Sequence, residues 1–146
     1  MKLSAVAIMI HGGKFLIGRA PNHDRWDIPK GGIGKFESPI EASIREAKEE
    51  TGIKLKSNRG GLPQIVYSIG PIDYLKDKKL FLNVFRLTDK QANTKLKCTS
   101  FYEMYGKKYP ELEEFKWITY AEKDEYLYRS LINALKNYAY LEEVIE

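Results

Sequence analysis

The chain has 146 residues, of which 43% are hydrophobic and 30% charged. This length predicts one domain over residues 1–146. The 24 Lys and Arg against 20 Asp and Glu leave a net charge of +4. This is far below the positive charge of proteins that coat nucleic acids, so that class of protein is excluded. A single cysteine, Cys98, excludes an intramolecular disulfide, and no Cys/His cluster suits a zinc site. We therefore expect a soluble, reduced, cytoplasmic domain.

The N-terminal segment is apolar up to His11, where the run ends. It is too short to span a bilayer and lacks a small-residue cleavage site, so we expect a strand rather than a signal peptide, and no membrane segment. Val6–Ile10 and Lys14–Arg19 flank a Gly-Gly pair, which predicts a hairpin. The following segment, Pro21–Gly34, has no helical period and predicts a long loop with a strand-like centre at Trp26–Ile28.

One helix has clear start and stop signals. Ser38 and Glu41 have the spacing of a capping box, Pro39 occupies the first helical position, and Gly52 supplies the stop. The sequence therefore predicts a helix between Ser38 and Gly52.

The remainder of the chain predicts further strands and a second helix. The predicted strands are Ile65–Ile69, Leu80–Leu87 and Phe115–Thr119, with the charged connection Asp77-Lys78-Lys79 ahead of the second. An amphipathic helix is predicted from about Asp124, on the apolar positions Leu127, Leu131, Leu135, Tyr138 and Leu141. The stretch Lys90–Tyr109 shows no readable pattern, and we expect a loop or irregular strand there. This order of elements predicts an α+β fold or an α/β/α sandwich with a mixed sheet.

The first helix gathers three carboxylates on one face. Placed at ~100° per residue, four residues form one narrow stripe, the predicted core face: Ile40, Ile44, Ala47 and Thr51. Glu46, Glu49 and Glu50 fall on the far side, where their only basic neighbours are Arg45 and Lys48. Such a run is also common on solvated helices. Because carboxylates this close repel one another, they favour a hard divalent ion, Mg²⁺ or Mn²⁺, among them.

These residues belong to a longer pattern. Its fixed positions are Gly31-x5-Glu37-x7-Arg45-Glu46-Ala47-x-Glu49-Glu50-x-Gly52-Ile53. The pattern resembles the Nudix box, G-x5-E-x7-R-E-U-x-E-E-x-G-U. All the fixed polar and glycine positions match, and Ala47 is smaller than the usual aliphatic residue, which affects packing rather than chemistry.

The resemblance implies the Nudix α/β/α sandwich with a mixed sheet, and hydrolysis of a nucleoside diphosphate linked to another group. It implies three ligands for Mg²⁺ or Mn²⁺: Glu46, Glu49 and Glu50. One of the three, with Glu46 the first choice, is alternatively the general base. Arg45 and Glu37 would form a salt bridge that orients the carboxylates. The backbone carbonyl of Lys30 or Gly31 would complete the metal shell.

Two segments outside the box indicate a branch of the family. Trp26–Ile33 is similar to the segment that leads into the box in RNA pyrophosphohydrolases and dinucleoside polyphosphate hydrolases. Pro110–Trp117 is similar to the P-E-h-x-x-h-x-W segment of the same subfamilies, which implies that Glu111 is an additional metal ligand or base. Glu113 and Glu114 remain rivals, because the loop register is not fixed by sequence.

Basic side chains are the candidates for binding phosphates. Arg19, Arg25, Lys78 and Lys79 are expected near the pocket mouth, and Lys30 adjoins the box. The resulting prediction is a pyrophosphohydrolase acting on dinucleoside polyphosphates or on the 5′ triphosphate or cap of RNA. The alternatives are an ADP-ribose or nucleoside triphosphate pyrophosphatase, a nucleotide-sensing module that does not cleave, and a general interaction protein. The intact acidic box disfavours the sensing module.

Overall fold

The computed structural model describes residues 1–56 and 64–146. Its strands are β1 (Lys2–His11), β2 (Lys14–Arg19), β3 (Lys30–Gly32), β4 (Ile65–Leu75), β5 (Lys78–Arg86), β6 (Phe101–Met104), β7 (Lys107–Pro110) and β8 (Glu114–Ile118). Its helices are α1 (Pro39–Thr51), α2 (Asp89–Ala92), α3 (Lys123–Tyr126), α4 (Arg129–Leu135) and α5 (Leu141–Ile145). The expected mixed α/β architecture is confirmed. Among the described residues, no helix is long and apolar enough to cross a membrane.

Six strands form one mixed sheet around β1. The order is β4-β5-β1-β2-β8, and β3 pairs with β1. β5 runs parallel to β1 along nearly its whole length, from the pair Lys2↔Lys78 to the pair Ile10↔Arg86. On the opposite edge of β1, antiparallel β2 pairs near His11 and antiparallel β3 pairs from Ser4 to Val6. This arrangement places the short strand β3 beside the beginning of β1, where the candidate site lies.

Both faces of the sheet are covered. Val6 and Ile8 of β1 point into a core shared with α4 and α5, whereas Ala7 and Met9 point into a second core that includes Ala47 of α1. Because successive side chains of a strand point to opposite faces, an unbroken apolar run is what a strand buried on both faces requires. The sandwich expected from the sequence follows from this burial.

The predicted helix α1 is confirmed at both ends. The Ser38 hydroxyl accepts a hydrogen bond from the Glu41 N–H at 3.1 Å, and the Glu41 carboxylate accepts one from the Ser38 N–H at 3.2 Å. Gly52 ends the helix at φ 85°, a left-handed conformation that glycine adopts without steric penalty. The predicted strands are also present, although β1 and β4 are longer than expected and the turn before β5 lies at Lys76-Asp77, so that Lys78 and Lys79 belong to the strand itself.

The prediction of a single C-terminal helix from about Asp124 is wrong. Three short helices replace it, and the break between α3 and α4 has a clear cause. Leu127 is extended, at φ −79° and ψ 158°, because the Trp26 N–H donates to the Tyr126 carbonyl and the Tyr128 N–H donates to the Trp26 carbonyl. The five predicted apolar positions are nevertheless buried.

Two loop predictions also need correction. Within the predicted loop Pro21–Gly34, Trp26 and Asp27 make only isolated bridges, and the strand of this segment is β3, two residues beyond the expected centre. The stretch Lys90–Tyr109 contains the end of α2, then β6 and most of β7, which pair as an antiparallel hairpin. Its turn, Tyr105-Gly106, has positive φ at both residues, as a two-residue hairpin turn of type I′ requires.

Candidate active site

A cavity of about 340 Å³ opens beside β3 and the exposed end of β1. Two elements of the Nudix-like pattern, the glycine loop and helix α1, meet there with the segment that follows β7. The residues lining it are Lys2, Ser4, Lys30, Gly31, Gly32, Glu46, Glu49, Tyr74, Lys78, Ser100 and Glu111. The lining is therefore dominated by charged and polar groups of both signs.

Three carboxylates converge in this cavity region. One oxygen each from Glu46, Glu50 and Glu111 lies within 4.8 Å of the other two. Glu46 and Glu50 are only 7% and 3% exposed, so their charges are largely removed from water. Glu49 lines the cavity but stands outside this three-oxygen cluster.

The orientation of α1 differs from the one expected. The carboxylates are not on a solvated far side, because α1 packs against β1 and β3 with a face that includes Ala42, Ser43 and Glu46. The Ser43 hydroxyl donates to the Val6 carbonyl at 3.1 Å, which ties this face to the sheet. Ile40, placed on the core face by its spacing, is only partly buried. The carboxylate face consequently lies between the sheet and the cavity.

Gly31 permits the close approach of β3 to α1. A Cβ atom at this position would overlap the Glu46 carboxylate. The next residue back, Lys30, donates its backbone N–H to Glu50 at 3.2 Å. The glycine is therefore needed for space around the carboxylates rather than for an unusual backbone angle.

Arg45 holds the acidic residues in place. Its guanidinium makes a two-bond pair with Glu37, at 2.7 and 2.8 Å, and donates to Glu46 at 2.6 Å and to Glu49 at 3.3 Å. A fifth bond goes to the Gly32 carbonyl at 2.9 Å. The hydrogen bonds from Arg45 lower the pKa of Glu37 to about 2, with help from the Gly34 N–H. The expected salt bridge between Arg45 and Glu37 is present, and the same guanidinium also binds Glu46 and Glu49.

The two buried carboxyls experience the opposite effect. Burial raises the pKa of Glu50 well above its usual value, and repulsion from Glu46 and Glu111 adds to the rise. Burial also raises the pKa of Glu46, although the Arg45 hydrogen bond opposes it. Ionising both Glu46 and Glu50 therefore costs free energy when no cation lies between them.

Glu111 is the acidic residue that the second segment brings to the cavity. Its backbone N–H donates to the Ser100 carbonyl at 2.9 Å, which closes the hairpin base beside α1. The rivals are placed elsewhere: Glu114 pairs with Arg19, and Glu113 lies 4.0 Å from the same guanidinium. The structure thus selects Glu111 as the partner of Glu46 and Glu50.

The predicted phosphate-binding cations divide into two groups. Lys30 and Lys78 line the cavity. Contrary to expectation, Arg19, Arg25 and Lys79 do not line it. Arg19 pairs with Glu114 across the β2–β8 pair, and Arg25 donates to the Glu125 carbonyl at 2.7 Å. Lys79 lies 3.7 Å from Asp73 of β4. A further cation, Lys2, was missed by sequence reasoning, because only the parallel register of β1 and β5 sets it beside Lys78.

Lys30 is held by several groups at once. Its ammonium lies 2.8 Å from Asp27 and 5.9 Å from the centre of the Tyr74 ring. Burial lowers its pKa, but attraction by Asp27, Tyr74 and Glu50 outweighs burial, so the net pKa is raised and the side chain stays charged. Lys30 therefore supplies a fixed positive charge beside the carboxylates.

The carboxylate cluster fits a hard divalent cation. Mg²⁺ and Mn²⁺ prefer oxygen ligands, and Glu50 has no cationic side chain bonded to it among the described residues, only the Lys30 N–H. A metal ion would supply the missing positive charge. Glu46, Glu50 and Glu111 are the side chains placed to hold it, with Glu49 and the Lys30 or Gly31 carbonyl alongside.

Comparisons with known proteins agree with this geometry. The NUDIX domain model matches residues 1–136. The chain is 33% identical over 120 residues to an RNA pyrophosphohydrolase of Ectopseudomonas mendocina, covering 74% of this chain and 69% of that protein. It is 31% identical over 116 residues to an RNA pyrophosphohydrolase of Nitratiruptor sp., covering 77% and 70%.

A solved structure confirms the fold independently. The solution structure of the E. coli ORF135 protein superimposes with a TM-score of 0.62 at 21% identity, covering 99% of this chain and 92% of that one. At this identity the likeness concerns the fold alone, whereas the family model spans the box and the cavity. The chain belongs to the NUDIX family and is a Nudix pyrophosphohydrolase.

Proposed function

We propose that the chain uses Mg²⁺ or Mn²⁺ to hydrolyse phosphoanhydride bonds in the 5′ triphosphate or cap of RNA or in dinucleoside polyphosphates. The observation that carries the proposal is the cavity lined both by Lys2 and Lys78 and by two members of the carboxylate cluster, Glu46 and Glu111. Glu50 completes that cluster. Carboxylates that hold a divalent ion and cations that meet outer phosphates are the two requirements of such a substrate.

The preference for several phosphates is supported by the pair Lys2 and Lys78. These residues are direct neighbours in register on parallel strands, and both line the cavity. Like charges placed opposite each other repel, and an anion between them relieves the repulsion. The relatives named RNA pyrophosphohydrolase favour the RNA 5′ end within this substrate class.

Each acidic residue has a proposed task. A bound divalent ion neutralises phosphate charge and lowers the pKa of an attacking water. Glu46, Glu49 and Glu50 are the proposed box ligands, while Arg45 and Glu37 orient them. The general base is Glu46 or Glu111. Glu111 is favoured, because the Glu46 carboxylate already accepts a hydrogen bond from the Arg45 guanidinium at 2.6 Å.

The alternatives within the family are ADP-ribose and nucleoside triphosphates. None of the described residues that line the cavity excludes them, but a bare diphosphate offers fewer phosphate charges to Lys2 and Lys78 than a longer phosphate chain does. A sensing module that does not cleave is disfavoured, since binding alone does not require a complete set of buried carboxylates. We also propose that the chain works as one domain, residues 1–146, in the cytoplasm, where buried Cys98 stays reduced.

A substrate panel with Mg²⁺ tests the proposal. It comprises 5′-triphosphorylated RNA, capped RNA, diadenosine tetraphosphate, ADP-ribose and the nucleoside triphosphates, with Glu50→Gln as the control for contaminating hydrolases. We expect triphosphorylated RNA or diadenosine tetraphosphate to have a higher kcat/KM than ADP-ribose, and the ratio to shrink as salt rises. A panel led by ADP-ribose, with a ratio independent of salt, would overturn the substrate assignment.

A further inference from the structure

The β6–β7 hairpin presents large side chains to solvent beside the cavity. Phe101 is 56% exposed, Met104 49% and Tyr105 97%. An isolated two-stranded hairpin gains little stability from exposed aromatic residues, and exposed apolar patches commonly mark binding surfaces. The hairpin is joined directly to Glu111, so whatever it binds lies next to the carboxylate cluster.

The register sorts the hairpin residues onto two faces. Tyr102 is opposite Tyr109, and Met104 is opposite Lys107. Because side chains alternate along a strand, these two pairs share one face. The next pair on this face, toward the base of the hairpin, is Ser100 with Glu111. The Glu111 N–H donates to the Ser100 carbonyl at 2.9 Å, and both residues line the cavity. One continuous face therefore runs from the cavity out to Lys107.

We call the face formed by Tyr102, Tyr109 and Lys107 the hairpin platform. Its aromatic rings lie nearer the cavity and its lysine lies farther out. The tyrosine rings stack on each other with centroids 5.7 Å apart, and both side chains are partly exposed. Two residues of strand span about 7 Å, so the rings lie one such step beyond Glu111 and Lys107 lies two steps beyond it.

The opposite face has different chemistry. Phe101 is paired with Pro110, and Glu103 is paired with Lys108. A carboxylate thus accompanies the lysine there, whereas the hairpin platform has a cation and aromatic rings with no acidic residue beyond Glu111 at its base. Of the two faces of the hairpin, the hairpin platform is the one that combines stacking surface with a lysine that has no carboxylate opposite it.

We propose that the hairpin platform binds the single-stranded nucleotides that follow the 5′ end of an RNA substrate. This inference rests on the proposed RNA substrate and deepens it. Aromatic rings beside positive charge are the general means of holding single strands without reading their sequence. With the 5′ phosphates at the carboxylates, the first downstream base reaches the tyrosine pair and a later phosphate reaches Lys107.

A length series of substrates tests the inference. Triphosphorylated RNAs of one, two, four and eight nucleotides are compared at fixed salt. We expect kcat/KM to rise at least about fivefold from one to four nucleotides, the low end for one stacked base. Tyr109→Ala removes this rise and leaves turnover of the mononucleotide unchanged, while Tyr109→Phe, which keeps the ring, retains the rise.

Neighbouring lysines provide a matched control. Lys107→Gln reduces the gain with length, whereas Lys108→Gln, on the other face, leaves it intact. Equal effects of these two variants, or a wild-type rate independent of length, would overturn the inference. Tyr109→Ala lowering turnover at every length by the same factor would also overturn it, because the hairpin would then act only by supporting Glu111.

A binding measurement separates this inference from the proposed function. Anisotropy of a labelled RNA octamer is followed against salt, without turnover. The slope of log affinity against log salt is expected to fall by about 0.7 in Lys107→Gln and not in Lys108→Gln, since one phosphate contact is lost. If RNA of no length is hydrolysed, the RNA part of the proposed function fails, yet this titration still decides whether the hairpin platform binds RNA.

Two other occupants give distinct results. If Tyr109→Ala lowers turnover of diadenosine tetraphosphate as much as that of RNA, the rings hold a second nucleoside and the RNA inference is overturned. If the wild type self-associates in sedimentation while Tyr109→Ala and Lys107→Gln are monomeric, the face is a protein interface, which also overturns it.

Discussion

Replacing Glu50 by glutamine should make the metal-free protein more stable while destroying its function. Glu50 is 3% exposed, and among the described residues its carboxylate accepts one hydrogen bond, from the Lys30 N–H at 3.2 Å, which an amide oxygen can accept equally well. The substitution therefore removes charge without creating a cavity or an unsatisfied donor on β3.

The magnitude follows from the spacing of the carboxylates. Two unit charges at 4.8 Å, the upper limit for the oxygen pairs of this cluster, repel by about 3 kcal/mol at an effective dielectric constant of ~20. Glu50 faces two such neighbours, Glu46 and Glu111, but protonation relieves part of the repulsion, since burial and these neighbours raise its pKa. We expect a net stabilisation of about 1–3 kcal/mol in Glu50→Gln. That corresponds to a rise in Tm of about 3–10 °C for a chain of this size.

The sign of the pH dependence is fixed by the direction of the pKa shift. Below the unfolded-state pKa of Glu50, the carboxyl is protonated in both states and the substitution changes little. As pH rises through the folded-state pKa, the wild type loses stability because its buried carboxyl ionises less readily than the unfolded one. The advantage of Glu50→Gln should therefore grow from mildly acidic to neutral pH.

Thermal unfolding with a chelator, repeated across this pH range, measures the effect. Glu103→Gln, at an exposed hairpin position, is the control and should not change Tm. Adding Mg²⁺ should stabilise the wild type and close the gap, because Glu50→Gln lacks a ligand. A variant less stable than the wild type at neutral pH without metal would refute the reasoning about the carboxylate cluster.

Three further substitutions test other parts of the site. Glu111→Gln should lower kcat much more than it raises KM, while Glu113→Gln, on the same segment, leaves both unchanged; a loss confined to KM would indicate uniform binding only. Arg45→Lys keeps the charge but loses the two-bond pair with Glu37, so metal affinity or activity should fall about 10–100-fold, and titration with Mn²⁺ would show it. Gly31→Ala should reduce metal affinity with little loss of folding, since the new Cβ displaces the Glu46 carboxylate; unchanged Mn²⁺ affinity would contradict this account.

The parts of the fold with local signals were predictable from the sequence. Helix α1 has its cap at Ser38 and its stop at Gly52, and both act within one turn of the helix end. The hairpin of β1 and β2 has its glycine turn. By contrast, the break at Leu127 depends on backbone bonds to Trp26, distant in sequence, and no helical period reports such a contact.

The candidate site was predictable to a similar extent. Glu46 and Glu50 share one helix, and their spacing alone brings them together, although which face α1 buries depends on its packing against the sheet. Lys2 joins the cavity only through the register of β1 with β5. The β6–β7 hairpin that carries the hairpin platform could not be predicted from the sequence. Its turn has Tyr105 at φ 53°, a conformation that Asn and Gly adopt far more often, so the turn residues give no hairpin signal.

The most direct test of the central claim is to locate the metal. Crystals of the chain soaked in Mn²⁺ and measured for anomalous scattering should show a peak bonded to the carboxylates of Glu46 and Glu50, on the side that faces Glu111. The same soak of Glu50→Gln should weaken or abolish the peak. A wild-type peak located away from these carboxylates, or no peak while Mn²⁺ still supports turnover, would contradict the account.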